Sequence, residues 1–113
     1  MMARAFVRAT RMNKTEAARA ERLTLWLHAG TILRFDFQPE KLRLADNTFY
    51  TPDFRVVHAD GSITMEDVKG AKGSRYWCEE DAKIKIKLAA ELHPYRFVIV
   101  WTIGGGVWLS EDF

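Results

Sequence analysis

Residues 97–102 read Phe-Val-Ile-Val-Trp-Thr, an apolar and largely β-branched run. Such a run is the signature of a buried central strand. A strand covered on both faces needs helices above and below it, which confines the chain to layers of helix on sheet. With 113 residues and 13.1 kDa there is material for one domain. Surface scaling gives about 19,000 Å² for the unfolded chain and about 6,400 Å² for the folded one, so roughly two-thirds of the surface is buried. A core of that size forms without disulfides or structural metal.

Hydrophobic residues make up 48% of the chain and charged residues 28%, which excludes gross disorder. Cys78 is the one cysteine, so neither an intramolecular disulfide nor a cysteine-rich zinc site is expected. No apolar run approaches about 18 residues, so no membrane span is expected. The first residues have no apolar stretch of the signal-peptide kind, and the expected compartment is a reducing cytoplasm. Net charge is only +2, but its distribution is uneven. Residues 1–15 carry Arg4, Arg8, Arg11 and Lys14 and no acid. A basic arm over residues 1–12, ahead of a single domain over 13–113, suits a polyanion. The competing reading is a solvated terminus.

A helix is expected from about Asn13 to Ala29. Asn13 with Glu16 has the form of a capping box, and Gly30 supplies the stop. Glu16, Ala20, Leu23 and Leu27 fall on one stripe, expected to face the core with Glu16 at its N-terminal end. Strand character follows at 31–37, 41–44, 49–57 (interrupted by Pro52) and 62–69, with Asp60-Gly61 as a hairpin signal. A flexible, basic loop spans 70–75. Residues 77–93 read as a helix ended by Pro94, and 107–109 as a last short strand. The expected class is α/β, a mixed sheet flanked by helices, with core order α-β-β-β-α-β.

The segment Tyr50-Thr51-Pro52-Asp53-Phe54 is followed across that hairpin by Glu66-Asp67-Val68-Lys69-Gly70. Residues i and i+2 of a strand share a face, so Asp67 and Lys69 project together. Asp53 and Asp67 with the Val68 backbone carbonyl make a hard oxygen site of the kind Mg²⁺ prefers. A metal there acidifies an attacking water and neutralises phosphate charge, while Lys69 orients the water and offsets developing negative charge. That division of labour is what phosphodiester hydrolysis requires.

The pattern Pro52-Asp53 … Asp67-Val68-Lys69, behind a helix carrying Glu16, resembles the PD-(D/E)xK nuclease superfamily. Within it the chain looks most like small phage-encoded endonucleases related to Holliday-junction resolvases. The likeness runs from Asn13-Lys14-Thr15-Glu16 to the strand Phe97-Val98-Ile99-Val100. It implies a restriction-endonuclease-like core and cleavage of DNA with Mg²⁺ or Mn²⁺, in phage recombination or DNA processing in a bacterial or phage-infected host cytoplasm. It further implies Asp53 and Asp67 as metal ligands, Lys69 as the catalytic lysine and Glu16 as the acid that completes the site. Glu66 is the other candidate for the second acid; parity with Lys69 favours Asp67.

A domain this small has little surface for reading bases, so branched or double-stranded DNA recognised by shape is the expected partner. Symmetric resolution of a junction implies a C2 homodimer. Lys72, Arg75, Lys85, Arg8, Arg11 and Lys14 are the candidate phosphate contacts. Lys85 falls inside the apolar arc that Trp77, Cys78, Ala82, Ile84, Ile86, Leu88, Ala89 and Leu92 form on the second helix, so it needs a partner. Tyr76, Trp77, Trp101 and Trp108 are candidates for stacking on bases, with core packing favoured for Trp101. His28, His58 and His93 show no metal-ligand spacing. The rival classes are a non-catalytic DNA-binding module on a nuclease fold and a nuclease acting on RNA or single strands.

One geometric expectation conflicts with the site. A two-residue Asp60-Gly61 turn sets Phe54 opposite Asp67, Arg55 opposite Glu66 and Val56 opposite Met65. Asp53 and Asp67 then lie on opposite faces and converge only through a break near Pro52-Asp53.

Overall fold

The computed structural model describes residues 11–113. Helix α1 (Lys14–Ala29) begins at the capping box read from the sequence. The Glu16 N–H donates to Asn13 Oδ1 at 2.8 Å, and the Asn13 N–H donates to Glu16 Oε1 at 2.9 Å. Gly30 ends the helix in the left-handed conformation, at φ 80°. Strand β1 (Ile32–Phe37), the ribbon of β2 (Leu42–Ala45) and β3 (Thr48–Tyr50), and the hairpin of β4 (Phe54–His58) and β5 (Ile63–Val68) follow. A small hairpin of β6 (Ala71–Lys72) and β7 (Arg75–Tyr76) leads to helix α2 (Glu80–Leu92), then to β8 (Arg96–Gly104) and β9 (Val107–Asp112).

Five strands form the main sheet in the order β1-β4-β5-β8-β9. β5 and β8 run parallel and the other neighbours are antiparallel. A parallel pair needs a long crossover, and β6, β7 and α2 supply it. The protein is therefore a mixed α/β fold, with more strands than the expected core order held. The 49–57 stretch is two strands, not one. Pro52, buried between them, interrupts the ladder where its missing N–H does no harm, and the chain passes from the ribbon to the main sheet.

The apolar run of β8 is buried on both faces, and its side chains alternate between two cores. Val98 and Val100 pack with Leu23, Ile32, Phe54, Val56 and Val68 on the α1 side. Phe97, Ile99 and Trp101 pack with Leu42, Leu44, Tyr50, Met65, Ile86 and Ala89 on the α2 side. Among the described residues no helix is long and apolar enough to cross a membrane.

Three expectations are corrected. On α1 the buried positions are Arg19 and Leu23, with Ala20 and Trp26 packed beside them, while Leu27 is exposed. A buried arginine takes the centre of the inward face and turns it away from Leu27. α2 begins at Glu80, leaving Trp77 and Cys78 before it; on α2 only Ile86 and Ala89 are buried, and Ile84, Leu88 and Leu92, like Trp77, are exposed. Ile84 and Ile86 point about 160° apart on a helix, so both cannot face the sheet. The β4–β5 register is also one residue away from that expected: Phe54 pairs with Glu66, Arg55 with Met65 and Val56 with Thr64. The loop holds three residues, Ala59–Gly61, closed by the His58 N–H on the Ser62 carbonyl at 2.9 Å. Gly61, at φ 88°, takes the left-handed position that such a loop requires.

Candidate active site

The corrected register removes the conflict over the two aspartates. One step beyond the last pair, Phe54–Glu66, Asp53 comes level with Asp67. The paired strand itself stops at Phe54, so the expected break at Pro52-Asp53 is present as well. There the backbone irregularity is bridged by polar contacts. The Asp53 N–H donates to the Glu66 carbonyl at 2.9 Å, and the Asp53 carbonyl accepts from the Gln38 N–H at 2.8 Å. Asp53 Oδ2 accepts from the Val68 N–H at 2.7 Å, so the carboxylate takes over from the ladder.

Asp67 is 5% exposed. Its Oδ2 accepts from the Tyr50 hydroxyl at 2.8 Å. Lys69 Nζ lies 2.8 Å from its Oδ1. That contact is a close ion pair that leaves Oδ1 of this buried carboxylate facing the ammonium. Lys69 is held at its backbone, whose N–H donates to the Val100 carbonyl at 3.0 Å and extends the parallel ladder.

The electrostatics follow from burial and crowding. Burial, then the neighbouring charge of Asp67, pushes the Asp53 carboxyl up to about 8; Glu16 adds to the rise, and the Val68 N–H and Lys69 oppose it. Burial by itself would lower the pKa of Lys69, but the Asp67 carboxylate outweighs it and the pKa is raised. The lysine is therefore a fixed cation. Burial and the charge of Asp67 hold the Tyr50 phenol far above its ordinary range, so it stays a neutral donor. Burial also raises the Cys78 thiol, which lies in the field of Lys69 and Asp67.

Asp53, Asp67 and Lys69 are thus brought together from two strands. Glu16 is close enough to act on the charge of Asp53, while its own carboxylate is engaged by the cap of α1. Glu66 belongs to the other face. It forms a buried two-pronged ion pair with Arg19, at 2.8 and 2.7 Å, beneath α1. The Arg19 guanidinium lies between the Trp26 and Trp108 rings, 4.9 and 5.0 Å from their centres.

The candidate phosphate contacts are more dispersed. Lys72 and Arg75 sit exposed on the β6–β7 hairpin. Arg75 lies 3.5 Å from Glu111 and over the rings of Tyr76 and Trp101. Lys85 does not join the acids: it is exposed, and its Nζ donates to the Phe49 carbonyl at 3.3 Å. The expectation that it is a buried lysine fails for the same reason as the wide arc, the rotation of α2. Arg11 and Lys14 are exposed at the start of α1, and Arg8 and most of the basic arm lie outside the described residues.

Tyr50 and Arg19 carry structural tasks that sequence reasoning did not assign. Tyr50 was visible only as a neighbour of Pro52-Asp53. Arg19 gave no signal, because a single arginine on a helix ordinarily reads as surface.

Among the described residues no three His, Cys, Asp or Glu side chains gather as a metal site. The donor set is two carboxylates, with the Val68 carbonyl at the end of β5. It still suits a hard divalent ion that keeps several waters. One observation supports the fit: the repulsion between Asp53 and Asp67, which a cation relieves. Compared with protein families, curated proteins and solved structures, the chain finds no match in any of the three.

Proposed function

We propose that this protein is a divalent-metal-dependent DNA endonuclease of the PD-(D/E)xK kind, built on a restriction-endonuclease-like core. The observation that carries the reading is the meeting of Asp53, Asp67 and Lys69 at adjacent strand ends, with the Asp53 carboxyl pushed up to about 8 by burial and then by the charge of Asp67. Two carboxylates that cannot comfortably ionise side by side are set to exchange a proton for a cation.

Asp53, Asp67 and the Val68 carbonyl would hold the ion. Bound Mg²⁺ or Mn²⁺ supplies neutralising charge at the phosphate and acidifies the attacking water. The protein's own groups do the rest. Tyr50 locks one oxygen of Asp67 and leaves the other directed at Lys69. Lys69, kept protonated by Asp67, donates to the phosphate or the incoming water and offsets the charge that builds in the transition state. It does not act as a base. Val68 fixes one oxygen of Asp53. Branched or double-stranded DNA, recognised by its shape, is the proposed substrate, and a C2 homodimer is the proposed assembly.

Incubation of the purified protein with branched and linear DNA in Mg²⁺ or Mn²⁺ is the test. Cleavage by the wild type and none by Asp53→Asn or Asp67→Asn is the expected result. A second reading is a non-catalytic DNA-binding module. It is favoured by the engagement of Glu16 in its helix cap, which leaves two carboxylates rather than three at the site. Binding without cleavage in either metal would select it.

A further inference from the structure

Four tryptophans are present, and three have evident structural work. Trp26 and Trp108 enclose Arg19, and Trp101 is buried with its indole N–H on the Ser74 carbonyl at 3.2 Å. Trp77 is different. It is 55% exposed. Tryptophan is on average a highly buried residue, so an indole left in water at a defined place calls for a reason.

Its place is defined by the candidate site. The Trp77 backbone N–H donates to the Gly70 carbonyl at 2.9 Å, and Gly70 follows Lys69 directly. The next residue, Cys78, lies in the field of Lys69 and Asp67. Trp77 therefore stands on the rim of the acid–lysine cluster. Its backbone is anchored. The hairpin before it is paired at Ala71–Tyr76 and Lys72–Arg75, tied to β8 through the Trp101 indole, and tied to β9 through the Tyr76 hydroxyl on Glu111. An aromatic plate on a fixed base binds with little ordering cost.

Cations flank the plate. Lys72 and Arg75 lie exposed on the hairpin, Arg75 at 3.5 Å from Glu111. Glu79, Glu80 and Asp81 open α2, and Lys83 behind them lies over the Tyr76 ring, 5.4 Å from its centre. Lys72, Arg75 and Lys83 are the cations a phosphate chain would meet beside the indole. In a paired duplex the base faces are covered by their neighbours, so an exposed indole finds a free face only where a base is unpaired.

We propose that Trp77 is a stacking platform for an unpaired base of the DNA strand that crosses the β6–β7 hairpin beside the cluster. This inference rests on the nuclease reading for the identity of the ligand, and it makes the substrate DNA with an unpaired nucleotide next to the cleaved phosphate. A flap, a fork or a junction supplies one; an intact duplex does not.

The test is binding in EDTA, where cleavage plays no part. Anisotropy of a labelled oligonucleotide would compare a fully paired duplex, the same duplex with a single-stranded branch, and that branch carrying abasic positions at the fork. The expected wild-type result is tighter binding to the branch than to the duplex, lost when the bases are removed. Trp77→Ala should lose the preference by about five- to a hundredfold, the range seen for base–aromatic stacking, while Trp77→Phe should keep most of it. An unchanged circular dichroism spectrum and melting temperature would show that the exposed site was altered without loss of fold. The proposal is overturned if Trp77→Ala keeps the branch preference, if abasic branches bind equally well, or if the substitution changes only the sedimentation of the protein, which would make Trp77 a contact between copies. Failure of the nuclease reading looks different: the branch preference and its loss in Trp77→Ala remain, with no cleavage in Mg²⁺ or Mn²⁺.

Discussion

The hydroxyl of Tyr50, at the end of the β2–β3 ribbon, donates to Oδ2 of Asp67, on the central parallel strand β5, at 2.8 Å. The bond joins the ribbon to the candidate site and determines which oxygen of Asp67 faces Lys69. Tyr50→Phe keeps the ring in the α2-side core but removes the donor. A hydrogen bond to a buried carboxylate contributes about 1.5–3 kcal/mol, so the urea midpoint should fall accordingly. On the nuclease reading, cleavage should drop about tenfold and half-saturation should move to higher Mn²⁺, since Asp67 is free to turn. A variant that is less stable but equally active at every metal concentration would show that the bond only supports the fold.

Asp53 makes stability depend on pH in a way that is the reverse of most aspartates. Its pKa is about 8 in the folded protein against 3.8 for an ordinary aspartate. Between these values the folded protein holds a proton that the unfolded chain has released. The associated stability is whole below about pH 3.8, falls across the window, and is gone above about pH 8. Metal-free protein should unfold more readily at pH 8.5 than at pH 6 through this group, and Asp53→Asn should flatten that slope. Divalent metal should stabilise the wild type more at pH 8.5 than at pH 6, because it competes with the proton. Urea melts at the two pH values, with and without Mn²⁺, measure all of this.

Arg19 and Glu66 form the one buried ion pair with both partners almost fully enclosed among the described residues. Removing either charge strands the other. Arg19→Met or Glu66→Leu alone should cost about 3–5 kcal/mol, whereas the two changes together should recover most of that loss. The comparison of the two single variants with the double variant in denaturant melts decides it. Equal costs that simply add would mean the pair is not coupled.

The basic arm is the place to test long-range charge. Removing residues 1–12 should weaken binding to duplex DNA and make the affinity less steeply dependent on salt, by about 0.9 in log–log slope for each phosphate that the arm neutralises. Affinity measured from 50 to 200 mM salt gives that slope. An identical slope in the shortened protein would show that Arg4, Arg8 and Arg11 meet no phosphates.

The local elements were largely legible. Asn13, Glu16 and Gly30 mark the ends of α1 to within a residue, because caps act on the backbone beside them. The β-branched run of β8 announces a strand buried on both sides. The i, i+2 spacing of Asp67 and Lys69 places the two charges together, as their 2.8 Å separation shows. The start and end of α2 were also readable to within a few residues, but its orientation was not. Its isoleucines alternate with lysines, and no wheel drawn from the sequence says which isoleucine meets the sheet.

What the sequence alone determined is therefore whatever depends on a few neighbouring residues: helix ends, the strand that must be central, and which side chains share a strand face. What tertiary structure decided is how those pieces meet. One residue more in the Ala59–Gly61 loop shifts the β4–β5 register and brings Asp53 level with Asp67. Because side chains alternate with a period of two, a one-residue change reverses which face every side chain takes. The partnerships of Tyr50 with Asp67 and Arg19 with Glu66 join segments 17 and 47 residues apart. They arise only when the sheet, the ribbon and α1 are packed, since a polar side chain taken out of water must bond to whatever the packing brings within reach.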